Sequence, residues 1–302
     1  MAFGTFVFDM RGALWQQVVA ELRGLDWRPL TQANVDDAIQ GDEARAAQGV
    51  YVLARLLDPA LLAVAAPWAG DPDDVTDNPD GSQIRPVYVG QSQSSLHERL
   101  SRHADFIDER NGLAPGQVLF KALSIPTFSS VSIESILAGH FMTAWNDADP
   151  TSGWRLSGFG SNDTGGRRDQ QEISNFDLRF PINPFAAAPR SLALAMRRIP
   201  TIQQRVRALR RSCPYTVRVA SRVSGDPALQ ARPNLPAVAA DVFDGCEIIL
   251  DALGGDWVAE VSPVRIVFNR IPPADRGGMP VLTRAGGWPL AHPPWSGIIL
   301  PP

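Results

Sequence analysis

The chain has 302 residues and a mass of 32.8 kDa, with 44% hydrophobic, 20% charged and 8% aromatic residues. Its 25 Gly and 26 Pro are scattered without a period, which excludes collagen-like and low-complexity chains. The length suits one large domain or two modest ones, each able to bury a core. A formal net charge of −4 offers no whole-chain attraction to nucleic acid or to an anionic membrane, although such an average can conceal a basic face.

Lys121 is the single lysine, so 27 of the 28 basic residues are arginine. Guanidinium always carries charge and matches phosphate oxygens in a bidentate fork. Cys213 and Cys246 stand apart, with no pair at zinc-like or thioredoxin-like spacing. That usage points to a reducing, cytoplasmic setting and no structural metal. Residues 1–10 lack a basic start and carry Asp9, unlike a signal peptide. The longest apolar stretch, 60–69, falls short of the roughly 20 residues that span a bilayer.

In chain order, Leu14, Val18, Val19 and Leu22 recur at helical spacing over 11–22. Residues 35–47 read as a short surface helix, and 49–53 as a strand opened by a glycine. Residues 85–90 suggest a second strand, with Pro86 at its entry or on an edge. Between the two strands lies an acidic, turn-rich insertion at 71–80. It lacks the glycine and terminal Glu of a calcium loop and reads as solvated surface. Ser94 or Ser95 caps a following helix that carries Leu96, Leu100 and His103. A strand over 119–125 follows, then an apolar helix over 132–145. Ile133, Ile136, Leu137 and Phe141 point inward there, with Glu134 among them. A glycine-rich polar loop spans 158–168.

From residue 178 to 225 there is no acidic residue but ten arginines. Within 201–212, Ile202, Val206 and Leu209 form one apolar stripe, and Arg205, Arg207, Arg210 and Arg211 spread over the rest. A buried-face helix over 237–253 and a strand over 264–268 come next. The tail, with Trp288, His292 and Trp295, is rich in Pro and Gly and reads as an extended segment packed on the body. The order of elements predicts an α+β fold, with a small sheet flanked by helices. Three parts follow: an N-terminal helical segment (1–48), a core (49–183) and an Arg-rich α/β extension (184–302).

Taken singly, Tyr51, Tyr88, Arg99, His103, Glu134 and Asn146 each have an ordinary explanation as strand aromatic, surface residue or helix-rim acid. Their joint order is more specific. Gly49-Val50-Tyr51, Val87-Tyr88-Val89-Gly90, Arg99 and His103 four apart, Glu134, and Trp145-Asn146 follow one another. The set resembles the GIY-YIG nuclease superfamily. Within it the similarity is greatest to the type II restriction endonuclease branch, which also carries a G-F-G-x-x-D-x-G stretch with basic residues, here Gly158 to Gly165 with Arg167 and Arg168. Ser174-Asn175-Phe176-Asp177 is similar to the S-x-W-D pattern that follows in that branch. The resemblance covers roughly residues 29–183. It departs at Asn162, where the branch usually has His, and at Thr164, where it has Pro; both lie in the DNA-contacting loop.

The residue types suit phosphodiester hydrolysis. Four-residue spacing puts Arg99 and His103 on one helix face, where Arg99 can hold a phosphate. Glu134 alone can anchor one Mg²⁺, with Mn²⁺ as a substitute, if phosphate oxygens and water complete the octahedron. The resemblance implies that Tyr51 lies near the attacking water. His103, titrating in the ordinary histidine range, would then take a proton directly or through Tyr51. Tyr88 orients the phosphate or nucleophile, and Asn146 fixes the glutamate or its loop. Asn162, Asp163, Arg167 and Arg168 in the loop, with Arg205, Arg207, Arg210 and Arg211, are the expected DNA contacts. His97 is expected at the surface, and His140 packed on the glutamate helix.

The expected activity is Mg²⁺-dependent, sequence-specific cleavage of double-stranded DNA by a homodimer, since one site per chain needs a pair of subunits to cut a palindrome. A cognate methyltransferase acting on the same DNA site is an implied partner. Two alternatives stay open. One is a structure-specific repair or mobile-element nuclease with a separate DNA-binding domain; the other is a non-catalytic DNA-binding module of the same fold.

Overall fold

The computed structural model describes residues 4–5, 14–63, 65, 68–108, 110, 112–114, 116–125, 130–146, 159, 174–182, 200–213, 215–234, 239, 241–271 and 298–300. The chain is α+β and divides into two compact units. The first comprises Met1–Gly165 with Ser174–Arg179, the second Gly166–Ile173 with Phe180–Pro302. Among the described residues, no helix is long and apolar enough to cross a membrane.

In the first unit the sheet is built from β1 (Gly4–Thr5), β2 (Arg28–Pro29), β3 (Gly49–Leu57), β4 (Thr76–Asp77), β5 (Gln83–Ser92) and β6 (Val118–Ser124). The order is β1-β6-β3-β5-β4, with β2 also paired to β6 and only β1–β6 parallel. β3 is central and almost wholly buried, so it reads as a continuous apolar run rather than an alternation. It extends past the expected 49–53 and carries the buried Arg55. Desolvation lowers the Arg55 guanidinium to about 10, with the nearby charge of Arg179 adding to the effect. The register shifts between Leu53 and Ala54, leaving Val87 as the extra residue beside Pro86. The proline, which has no N–H, therefore sits at a bulge inside β5 rather than at its entry.

One face of the sheet is covered by α1 (Leu14–Gly24) and α6 (Ser130–His140). Val18, Val19 and Leu22 of α1 and Ile133 and Leu137 of α6 pack with Val50, Val52 and Val89. The segment before Gly49 thus belongs to the same unit as the sheet. The expected helix over 35–47 is two short ones, α2 (Gln32–Ala38) and α3 (Asp42–Arg45), parted by Gly41 at φ 87°. The opposite face is covered by α5 (Leu96–Asp108), with Leu96, Leu100, His103, Ala104 and Ile107 buried. Ser95 caps α5, its hydroxyl accepting from the Glu98 amide at 3.0 Å.

The acidic insertion lies at the surface, as its composition suggests, but is anchored through two of its carboxylates. Between the short α4 (Pro59–Leu62) and β5 it forms a 3₁₀ turn, Pro72–Asp74, and then β4. Asp74 is buried and takes Arg23 Nε at 2.8 Å, while Asp71 takes Arg23 Nη2 at 2.7 Å. A guanidinium at the end of α1 therefore pins the insertion to the body. His140 joins this cluster 3.6 Å from Asp74, and His97 pairs with Asp36 at 2.7 Å instead of standing free at the surface.

α6 ends earlier than expected, at His140, and Met142 turns the chain with a left-handed φ of 47°. Ile136 is exposed rather than inward. The four residues from Ser174 are accounted for by α7 (Asn175–Arg179). Ser174 Oγ accepts from the Asp177 amide at 3.1 Å, and Asp177 holds the buried Arg110 at 2.9 Å. Arg110 lies 3.8 Å over the Phe106 ring, so the pair is both neutralised and packed.

The second unit holds α8 (Ile202–Ser212), β7 (Thr216–Val219), α9 (Val242–Leu253), β8 (Trp257–Val261), β9 (Arg265–Arg270) and β10 (Ile298–Leu300). Its sheet runs β10-β8-β9-β7, with β7 parallel to β9. Ile202, Val206 and Leu209 of α8 share a core with Phe243, Cys246 and Ile249 of α9 and with Trp257, Ile266 and Phe268 of the sheet. A capping box of Thr201 and Gln204 starts α8. β7 and β8 were not expected; Trp288, His292 and Trp295 lie outside the described residues.

Candidate active site

Tyr51 stands on β3 directly opposite Gly90 of β5. A Cβ at position 90 would run into the Tyr51 hydroxyl and ring, and would come within 2.8 Å of Tyr88 Cε1. Gly49 is held as tightly: a Cβ there would meet the Leu123 carbonyl and lie 2.6 Å from Leu96 Cδ1. Both motif glycines are therefore demanded by close approach rather than by backbone conformation. Gly90→Ala is expected to destabilise the protein by about 1–3 kcal/mol, the usual cost of overpacking, as read by urea denaturation.

The Tyr51 hydroxyl lies 2.7 Å from His103 Nε2 and accepts from Arg99 Nε at 3.3 Å. Tyr51 and His103 are fully buried and Tyr88 nearly so, whereas Arg99 is half-buried. The Tyr88 ring centre lies 6.1 Å from that of Tyr51 and 5.9 Å from that of His103. Burial, Tyr88 and Glu134 push the Tyr51 phenol well above its usual range, while Arg99 pulls it down. His103 is held well below its ordinary value by burial first, then by the charges of Arg99 and Arg102. This corrects the expectation that it titrates like an ordinary histidine. It is a neutral imidazole near pH 7. Because a guanidinium only donates, the phenol oxygen accepts from Arg99, leaving its own proton for a neutral Nε2.

Glu134 reaches the cluster from the helix on the other face of the sheet and is half-buried. Desolvation raises its carboxyl, opposed by a hydrogen bond from the Gln91 side chain and by the charge of Arg99. Gln91 follows Gly90 but, by strand alternation, shares the face of Val89 and α6. Among the described residues, no three His, Cys, Asp or Glu side chains gather as a ligand group. The donors present, the Glu134 carboxylate and a buried Gln91 Oε1 that has no hydrogen-bond partner among the described residues, are hard oxygens. They fit a Mg²⁺ or Mn²⁺ ion that keeps most of its water.

Asn146 acts on the strand rather than on the glutamate. Its Oδ1 accepts from Val89 N at 2.8 Å, its Nδ2 donates to Val89 O at 3.0 Å, and Trp145 N donates to Val87 O at 2.7 Å. The Trp145-Asn146 pair thus takes the place of a neighbouring strand along this part of β5 and holds Tyr88 in position.

Phe159, the middle residue of the G-F-G motif, stacks on His103 with centroids 4.9 Å apart and an interplanar angle of 23°. It also meets Tyr88, Trp145 and Phe176 at 4.9, 4.9 and 5.0 Å. The sequence reading assigned no role to Gln91, Arg102 or the Phe159 ring. Phe159 was visible only as part of a motif, and Gln91 only as the residue after one. The expected loop contacts Asn162, Asp163, Arg167 and Arg168 lie outside the described residues.

Of the four arginines expected to contact DNA from α8, three are exposed: Arg207, Arg210 and Arg211, spaced to share one helix face. Arg205 is a correction. It falls beside Ile202, Val206 and Leu209 on the packed side and is buried, and desolvation lowers its guanidinium. No protein-family model matches this chain, and no curated protein matches it either.

Proposed function

We propose that this chain is a metal-dependent DNA endonuclease of the GIY-YIG type. The observation that carries the reading is the convergence, from two strands and two helices, of Tyr51, Tyr88, Arg99, His103 and Glu134 around one buried phenol. A scaffold has no use for a phenol held between an imidazole and a guanidinium, with a carboxylate on the far side of the sheet close enough to act on it.

In this reading Arg99, half-buried over the phenol, takes a phosphate oxygen of the substrate and so brings the scissile group beside Tyr51. As water attacks, its proton passes to the Tyr51 oxygen while the phenol proton passes to His103 Nε2, 2.7 Å away. The imidazolium so formed is buried within reach of the charges of Arg99 and Arg102. That cost is offset by the negative charge of the phosphate on Arg99. Glu134 would hold a divalent ion, which when bound would supply positive charge to the phosphate oxygens. Asn146, through Val89, keeps Tyr88 and the glycine opposite Tyr51 in register.

Restriction-type cleavage of double-stranded DNA by a homodimer is the first form of this proposal, with a methyltransferase of the same specificity as partner. The separate core of the second unit favours an alternative form, a catalytic unit carrying its own DNA-binding unit and working as a monomer. Plasmid DNA incubated with the protein and Mg²⁺ distinguishes them. Discrete bands support the restriction form, and scattered nicks or branch-specific cuts support the second. Absence of cleavage with Mg²⁺ and with Mn²⁺ would overturn both.

The exposed stripe on α8 is assigned to phosphate tracking. Replacing Arg207, Arg210 and Arg211 together by Gln is expected to weaken DNA binding alike for all sequences. The salt dependence of log K should flatten by nearly three, at about 0.9 per phosphate contact, in fluorescence anisotropy titrations. An unchanged salt slope would remove α8 from the interface.

A further inference from the structure

Gln91 is a polar residue at the site to which the proton relay gives no part. Its side-chain amide meets the Glu134 carboxylate. A carboxylate only accepts, so Nε2 donates and Oε1 is left to the other side. There Oε1 is buried and has no hydrogen-bond partner among the described residues. An amide oxygen in that state is unfavourable, and native structures seldom keep one without a use for it.

We propose that Gln91 is the second oxygen donor of the cation site at Glu134, turning its amide over when a divalent ion sits on the carboxylate. The inference rests on the nuclease reading above and adds a ligand to its metal site. In the metal-free protein the amide N–H steadies a carboxylate that has lost much of its water. Once a cation takes over that task, an N–H aimed at it is repelled. Rotation about the terminal torsion, which is broad and two-fold in glutamine, brings Oε1 to the ion instead. Because Oε1 gives up no hydrogen bond in turning, the exchange sacrifices only the bond to Glu134, which the ion replaces. The oxygen is a hard, neutral donor of the kind Mg²⁺ and Mn²⁺ accept beside a single carboxylate. Its position is set by the fold: β5 alternation places position 91 on the face that α6 covers, opposite the tyrosines.

Mn²⁺ binding to the full-length protein without DNA tests this, measured by calorimetry and by the paramagnetic resonance signal of free Mn²⁺. Gln91→Leu is expected to weaken Mn²⁺ affinity by about 10- to 100-fold, the range for residues that support a metal site, with an unchanged melting curve. Gln91→Glu, which keeps the length and adds charge, is expected to bind more tightly than the wild type. Glu134→Gln should abolish binding in every background. Wild-type affinity in Gln91→Leu, with binding lost in Glu134→Gln, overturns this proposal and leaves the nuclease reading standing. If the wild type itself binds no Mn²⁺ at millimolar concentration, the proposal and the single-metal reading fall together. Should Gln91→Leu not fold, Gln91→Glu decides: equal or weaker affinity overturns the inference.

Discussion

Replacing Glu134 by Gln is expected to abolish cleavage, lowering the rate by about a thousandfold or more, while DNA binding survives. Charge stabilisation by a bound ion is worth several kcal/mol, and each ~1.4 kcal/mol is tenfold in rate. The substitution keeps the shape and the contact with Gln91 but removes the charge that would anchor the ion. Glu134 is half-buried on α6 and its ionised form is already penalised by desolvation, so the amide should leave the melting temperature unchanged. Plasmid cleavage and gel-shift assays on the same preparations separate the two effects. A variant that still cuts at the wild-type rate would dissociate the activity from this site. Because burial raises the Glu134 carboxyl, its ionised form is lost on acidification sooner than that of an ordinary glutamate. Cation binding should therefore weaken at a pH where free glutamate is still charged.

His103→Gln is expected to lower cleavage by about 10²–10⁴-fold, the usual contribution of a positioned proton acceptor. It should also change how stability depends on pH, a readout that does not rely on the proposed activity. His103 is buried with a depressed pKa in the folded chain, while the unfolded chain titrates near the ordinary 6.5. As the pH falls below that value, the unfolded state takes up a proton that the folded state refuses. Stability therefore drops toward acid and rises with pH through the window between the two pKa values, by up to ~1.4 kcal/mol per unit. Gln carries no such proton, so the variant should lose this part of the slope in urea titrations at pH 5, 6 and 7. Identical slopes in the two proteins would mean that His103 is not held neutral by the fold.

Much of the site was legible because it is written in short local patterns. Gly49-Val50-Tyr51 and Tyr88-Val89-Gly90 are strand segments whose glycines mark close approach, and the four-residue step from Arg99 to His103 is one helical turn. The apolar stripe of α8 likewise predicted its packed face. The same rules misled where a charge is buried. The sequence-read strand stopped at Leu53 although β3 continues through the buried Arg55, and Arg205 was placed among the surface arginines. Composition rightly read the 71–80 insertion as surface but could not show that Arg23, some fifty positions earlier, holds Asp71 and Asp74. β7 and β8 were missed because short strands carry too little periodicity to stand out from loops.

The sequence by itself determined the α+β order, the two motif strands, the residue types available for phosphate chemistry, and a net charge of −4 that averages an acidic insertion with an acid-free, arginine-rich stretch. These are properties of local periodicity and of side-chain chemistry, which a linear reading contains. Only the tertiary structure decided protonation and partnership. It held His103 well below its ordinary pKa by burying it, with the charges of Arg99 and Arg102 adding to the effect. It set Asn146 on the backbone of Val89, Phe159 on the imidazole and Gln91 against Glu134. Desolvation and charge proximity depend on distances between residues far apart in the chain, and those distances exist only once both faces of the sheet are packed.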